Sequence, residues 1–245
     1  MVGSRLRRMC APPPLNRTVS RTRSNQMAKS NYAVAVDEIQ KALVPYLRGI
    51  GFVRRGRTFN RRTEDGLTQV IGIQMGASDP PGTTYIPHLR ENLHGLFAIN
   101  LGVYVPEVAV RSGTEVPKSI VNEAYCCVRA RLGELIGAGK EVWWHCQADD
   151  AVIADVKHAL ETEGLPFLAR FATRDRILAE WRGRSENQGA GRPPRIVSAI
   201  ILAERGQRDE ARALLAQQVH ETRNPGHPEY VRGLAEALGL GRLDG

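Results

Sequence analysis

RRGRTFNRRTEDGLTQVIGIQM, residues 54–75, decides the fold class of this chain. Its second half alternates: Leu67, Ile71, Ile73 and Met75 fall on one face of an extended chain, and Thr68, Val70, Gly72 and Gln74 on the other. Side chains of a strand alternate with period two, so the pattern predicts a half-buried antiparallel strand. The first arm, residues 52–62, is rich in Arg, Phe and Thr, and Gly56 breaks its alternation. Phe52 and Phe59 have opposite parity, so a bulge at Gly56 would let both rings face one core. Glu64, Asp65 and Gly66 supply the turn between the arms. Alternation returns in FAINLGVYVP, residues 97–106, with Phe97, Ile99, Leu101, Val103 and Val105 inward and Ala98, Asn100, Gly102 and Tyr104 outward. These two strands are expected to be neighbours across a long loop.

That loop, residues 76–95, holds Pro80, Pro81, Gly82, Pro87, His88, Arg90, Asn92 and His94. Long loops inside compact domains are often functional. His88 and His94 raise the question of a metal, but no Cys, Asp or third His stands nearby to complete a ligand set, so solvated histidines and no metal are expected.

Upstream, Val36, Ile39, Leu43, Tyr46, Leu47 and Ile50 recur at three- and four-residue steps and predict an amphipathic helix over residues 32–50. Asn31 is a candidate N-cap, and Pro45 predicts a kink or an early end near Val44. Residues 1–30 combine Arg, Ser and a triple proline without hydrophobic periodicity, which predicts a disordered basic tail. Three readings of it stay open: a transit peptide, a phosphate-attracting arm, or an upstream segment ahead of a true start at Met27. The tail also carries the charge. Arg5, Arg7, Arg8, Arg17, Arg21, Arg23 and Lys29 precede the first acid, so a net charge of +8 leaves about +1 from Asp37 onward.

Downstream, residues 119–136 are expected to be helical towards their end, with Val128, Leu132, Leu135 and Ile136 at helical spacing. EVWWHC, residues 141–146, suits a short fourth strand that sends Trp143 and Trp144 to opposite faces. The ordered motifs GFVRRGRTFNRR, LTQVIGIQ, FAINLGVYVP, CVRARLGELI and EVWW resemble the bacterial family known as domain of unknown function 4304, over about residues 36–181. The resemblance implies an α+β domain beginning near Met27. It carries Arg61, Gln69, Gln74, Asn100, Gly102, Cys127, Arg131 and Trp143 or Trp144 as motif positions without roles, and the family brings no established activity or catalytic residues.

The remainder reads as helical. Val152, Ile153, Val156 and Leu160 mark a helix over residues 150–163, capped by Asp149 or Asp150 and ended by Gly164. Another follows over residues 165–181, and residues 183–194 form a linker rich in Gly and Pro. Residues 195–219 look like one tetratricopeptide-type helical hairpin, and a last helix over residues 227–238 is expected beside it. The domain organisation is therefore an α+β domain at residues 31–182 and a helical appendage at residues 195–245. The fold class is α+β: a small antiparallel sheet of about four strands packed against helices.

Composition excludes several function classes. With 42% apolar and 24% charged residues the chain is neither globally disordered nor of a membrane class, and no apolar run reaches spanning length. Four cysteines without a secretory leader fit a reducing, cytoplasmic setting. A thiol enzyme would pair Cys127 or Cys146 with His145, but residues 145 and 146 point to opposite sides of a strand and cannot cooperate. No phosphate-cradling glycine loop or cofactor motif is present. The candidate binding residues are Arg54, Arg55, Arg57, Arg61, Arg62, Gln74, Asn100 and Tyr104, because guanidinium and amide groups offer directed donors to oxyanions. The competing reading is a solvated sheet edge on which Arg blocks wrong strand pairing. The expected function is non-catalytic binding of a protein or acidic ligand. The alternatives are a nucleic-acid-binding accessory protein, whose aromatic platform is missing, and an enzyme with an unrecognised site.

Overall fold

The computed structural model describes residues 29–77, 92–113, 117, 119–137, 141–183 and 194–243. The expectations for the basic tail, for His88 and the prolines of the long loop, and for most of the linker lie outside these residues.

Helix α1 (Asn31–Gly49) leads into strands β1 (Val53–Arg55), β2 (Thr58–Arg62), β3 (Thr68–Met75) and β4 (Leu96–Tyr104). Helix α2 (Pro106–Arg111), a 3-10 turn (Glu123–Tyr125), β5 (Val128–Arg131), α3 (Leu132–Ile136) and β6 (Trp144–His145) follow. The chain then continues through α4 (Asp150–Ala159), a π-helical turn (Leu160–Gly164), α5 (Leu165–Arg170) and α6 (Arg174–Gly183). It ends in α7 (Arg195–Glu204), α8 (Arg208–Glu221) and α9 (His227–Ala237). The sheet is antiparallel in the order β1-β2-β3-β4-β5, with β6 also paired to β4, so the fold class is α+β.

The sheet has six strands where about four were expected. The two extra strands arise at Gly56, which splits one expected strand in two, and at residues 128–131, where a helix is expected. Gly56 does not bulge a single long strand: it adopts φ +56°, and with Arg57 makes a two-residue turn that pairs Arg55 with Thr58. A tight hairpin of this kind requires a left-handed residue, which glycine supplies without a Cβ clash. The predicted helix over residues 119–136 instead contains β5, whose burial alternates along Val128, Arg129, Ala130 and Arg131. Pairing to β4 satisfies its backbone, and helix begins only at Leu132. The strand expected at residues 141–146 shortens to Trp144–His145.

Helix ends also shift for local reasons. Ser30, not Asn31, caps α1, its Oγ accepting from Ala33 N at 3.2 Å. Pro45 lies inside α1 without ending it. The hydrogen bond that Pro45 cannot donate would have reached Lys41, an exposed residue whose carbonyl water can serve. Asp149 caps α4 as expected, accepting from Val152 N at 2.8 Å. Gly164 does not end the helix, because the π-helical turn carries the chain into α5.

One apolar core runs without a break from Val36, Ile39, Leu43 and Leu47 of α1, through Phe59, Ile71 and Leu101 of the sheet, to Phe167, Ile200, Leu215 and Val231 of the later helices. The opposite sheet face is covered at one end as well. Val70, Tyr104, Ala109, Val121 and Cys126 form a second small cluster there. Glycine makes this second layer possible: a Cβ on Gly102 would lie 2.6 Å from Cys126 Sγ, and one on Gly72 would lie 3.1 Å from Glu123 Oε2.

Candidate functional site

Strand geometry divides the arginines of the hairpin. Arg54 pairs with Phe59 and shares its face, whereas Arg55 and Arg62 belong to the other face, and Arg57 sits in the turn. Arg61 pairs with Gln69 on the core side. Its Nε donates to Gln69 Oε1 at 2.9 Å, its Nη1 donates to Ile50 O at 3.0 Å, and its guanidinium lies 4.6 Å from the centre of the Phe52 ring. Gln69, 2% exposed, donates in turn to Leu168 O at 2.8 Å. Arg61 is therefore a partly buried strut between the hairpin, the end of α1 and α5, and it is not offered to a ligand. Burial pushes its pKa down from the ordinary arginine value.

Arg57 ties the β1–β2 turn to α1. Its Nη2 donates to Asp37 Oδ1 at 2.9 Å and to Ala33 O at 3.2 Å. Gln40 Nε2 donates to Gly56 O, and Lys29 Nζ reaches Asp37 Oδ2 at 2.7 Å. Hydrogen bonds from Lys29 and then Arg57 hold the Asp37 carboxyl below the usual carboxylate range. Together Lys29, Asp37, Gln40, Lys41, Arg54, Gly56 and Arg57 line a groove of about 600 Å³ between α1 and the turn. Four cations face one carboxylate there. Arg54 and Lys41 are exposed and have no ion-pair partner among the described residues.

The other candidate residues are dispersed on the opposite face. Arg55 donates to Ser119 Oγ. Arg62 is exposed. Tyr104, expected to face a ligand, is instead 4% exposed inside the second apolar cluster, and its hydroxyl has no hydrogen-bond partner. Gln74 and Asn100 do come together, with Asn100 Nδ2 donating to Gln74 Oε1 at 2.8 Å. They share a pocket of about 290 Å³ with Arg129, Arg131 and Glu134. Arg129 and Glu134 stand outside the expected site: Arg129 lies on β5 where helical spacing predicts a helix, and Glu134 follows on α3. The alternation of Val128, Arg129, Ala130 and Arg131 is the signal that places Arg129 on a strand.

Cys126, Cys127 and Cys146 are unsuited to thiolate chemistry. Burial pushes the Cys127 thiol up to about 12 and raises Cys126 and Cys146 as well. His145 is exposed while Cys146 is buried, so the two do not share a side of the strand. Trp144 is buried, stacks on Phe97 at 5.9 Å and donates from Nε1 to Asp155 Oδ2 at 2.7 Å. Trp143 lies under Arg131, 5.2 Å from guanidinium to ring centre. Among the described residues no group of three His, Cys, Asp or Glu could hold a metal ion, and no helix is long and apolar enough to cross a membrane.

A family model described as Domain of unknown function (DUF4304) matches residues 91–170, which supports the resemblance over the stretch that holds FAINLGVYVP, CVRARLGELI and EVWW. The matched stretch contains Asn100, Arg129, Arg131 and Glu134 and begins downstream of the arginine hairpin. No curated protein and no solved structure matches the chain.

Proposed function

We propose that this protein is a non-catalytic binding module that takes an acidic protein segment or acidic ligand in the groove between α1 and the β1–β2 turn. One observation carries the reading: Lys29, Lys41, Arg54 and Arg57 surround a groove that contains a single carboxylate, Asp37. Asp37 is already engaged by Lys29 and Arg57, which fixes the turn against α1 and leaves Lys41 and Arg54 for a partner. Cations on a preformed surface gain most from a carboxylate-rich partner, and that gain falls as salt screens it.

Fluorescence anisotropy of the full chain tests this with two probes of like charge, a glutamate-rich peptide and a single-stranded oligonucleotide. The peptide is expected to bind, with affinity falling as salt rises. Preference for the oligonucleotide, with a steep salt slope, would replace this reading by the nucleic-acid one.

A further inference from the structure

The pocket on the other face of the sheet has a different chemistry. Gly72, Asn100 and Arg131 form one row across β3, β4 and β5, paired in register. Cys126 covers Gly102 and Glu123 covers Gly72, so the hollow lies over Asn100 itself, with Gln74, Arg129, Arg131 and Glu134 lining it. Asn100 is only 6% exposed. Burying an amide is costly unless its hydrogen bonds are made. Here one is made, to Gln74 Oε1. The Gln74 amide NH2 and Asn100 Oδ1 have no side-chain partner among the described residues, which leaves one donor group and one acceptor beside each other.

The residues lining the pocket carry charge of both signs, and Glu123 adds a carboxylate over the neighbouring Gly72. Arg131 is held by Glu141 and lies over Trp143. Arg129 is exposed and has no partner among the described residues. Glu134 accepts from the backbone N of Arg131 at 3.2 Å and keeps acceptor capacity for a second donor. A polyanion would gain from Arg129 but meet Glu134 in the same pocket. A molecule with one negative and one positive end matches both.

We infer that this pocket binds a small zwitterion of the α-amino acid class, its carboxylate on Arg129 and the Gln74 amide, its ammonium on Glu134 and Asn100 Oδ1. The volume of about 290 Å³ accommodates a molecule of that size. The site lies on the sheet face opposite the α1 groove and shares no residue with it, so either can fail without the other.

The test is titration of the 15N-labelled full chain with each standard α-amino acid, following the side-chain amide signals of Gln74 and Asn100, with calorimetry for affinity. At least one amino acid is expected to shift both signals. Arg129→Ala and Glu134→Gln should each weaken that binding by about tenfold or more, the loss of one charge-assisted hydrogen bond. Arg129→Lys should recover part of it, and acetate and methylamine, with one charge each, should bind more weakly than the amino acid. Circular dichroism establishes that each variant is folded. The inference is overturned if no amino acid moves the two amide signals, or if binding is unchanged by Arg129→Ala or by Glu134→Gln.

Discussion

Gln69 shows how one polar residue can be worth more inside than out. It falls on the core face of β3, between Leu67 and Ile71, where alternation calls for an apolar side chain. It accepts from Arg61 and donates to Leu168 O, and so joins the hairpin to α5. Gln69→Leu would leave a guanidinium N–H and a carbonyl without partners. Chemical denaturation of that variant should show a loss of about 1–3 kcal/mol. Gly102→Ala should cost a comparable amount, about 1–3 kcal/mol, because its Cβ would press on Cys126 at 2.6 Å. Cys127 makes a pH prediction. Its thiol is neutral when protonated, and its folded pKa of about 12 lies above an ordinary value of 9.0. Between those values the unfolded chain has released its proton while the folded one retains it, so stability falls as pH rises. The contribution is complete below about pH 9 and lost as pH passes 12. Urea midpoints measured from pH 8 upward should decline, and less steeply in Cys127→Ala.

At the scale of elements, the long alternating strands were legible and the short ones were not. β3 and β4 each present enough consecutive residues for period two to stand out, and their inward residues pair as expected, Ile71 with Leu101 and Ile73 with Ile99. β1 has three residues and β6 two, too few to show a period. β5 was hidden because Val128, Leu132, Leu135 and Ile136 also fit helical spacing across the junction with α3. The Arg54–Arg62 cluster was legible as charge, but its division between two faces depended on whether Gly56 bulges or turns. The turn has its own consequence. Gly56→Ala places a Cβ at φ +56° and should destabilise the protein by about 1 kcal/mol, measured as a shift in thermal midpoint, while opening no clash.

Across the whole molecule, ion pairs connect elements far apart in the chain, and residue spacing gives no sign of them. Arg174, at the start of α6, donates to Glu107 of α2 at 2.5 and 2.7 Å and from its backbone N to Asp65 of the β2–β3 turn at 2.6 Å. Glu107 is the first cause of the raised Arg174 pKa. Arg205 reaches Asp175, Arg182 reaches Glu210, and Arg111 reaches Glu204, so α7 and α8 are tied to α2 and α6 by charge as well as by packing, while Arg111 also donates to Ala237 O of α9. These last pairs are exposed enough to contribute little each. Arg174 is less exposed, and Arg174→Ala should cost about 2 kcal/mol. The groove beside α1 is where two cations without an ion-pair partner among the described residues, Lys41 and Arg54, stand together for a partner. The measurement that tests this most directly is the affinity of the glutamate-rich peptide for the full chain and for the Lys41→Glu, Arg54→Glu double variant, at equal salt and with folding verified. The account predicts a loss of about tenfold or more in the variant, and an unchanged affinity would contradict it.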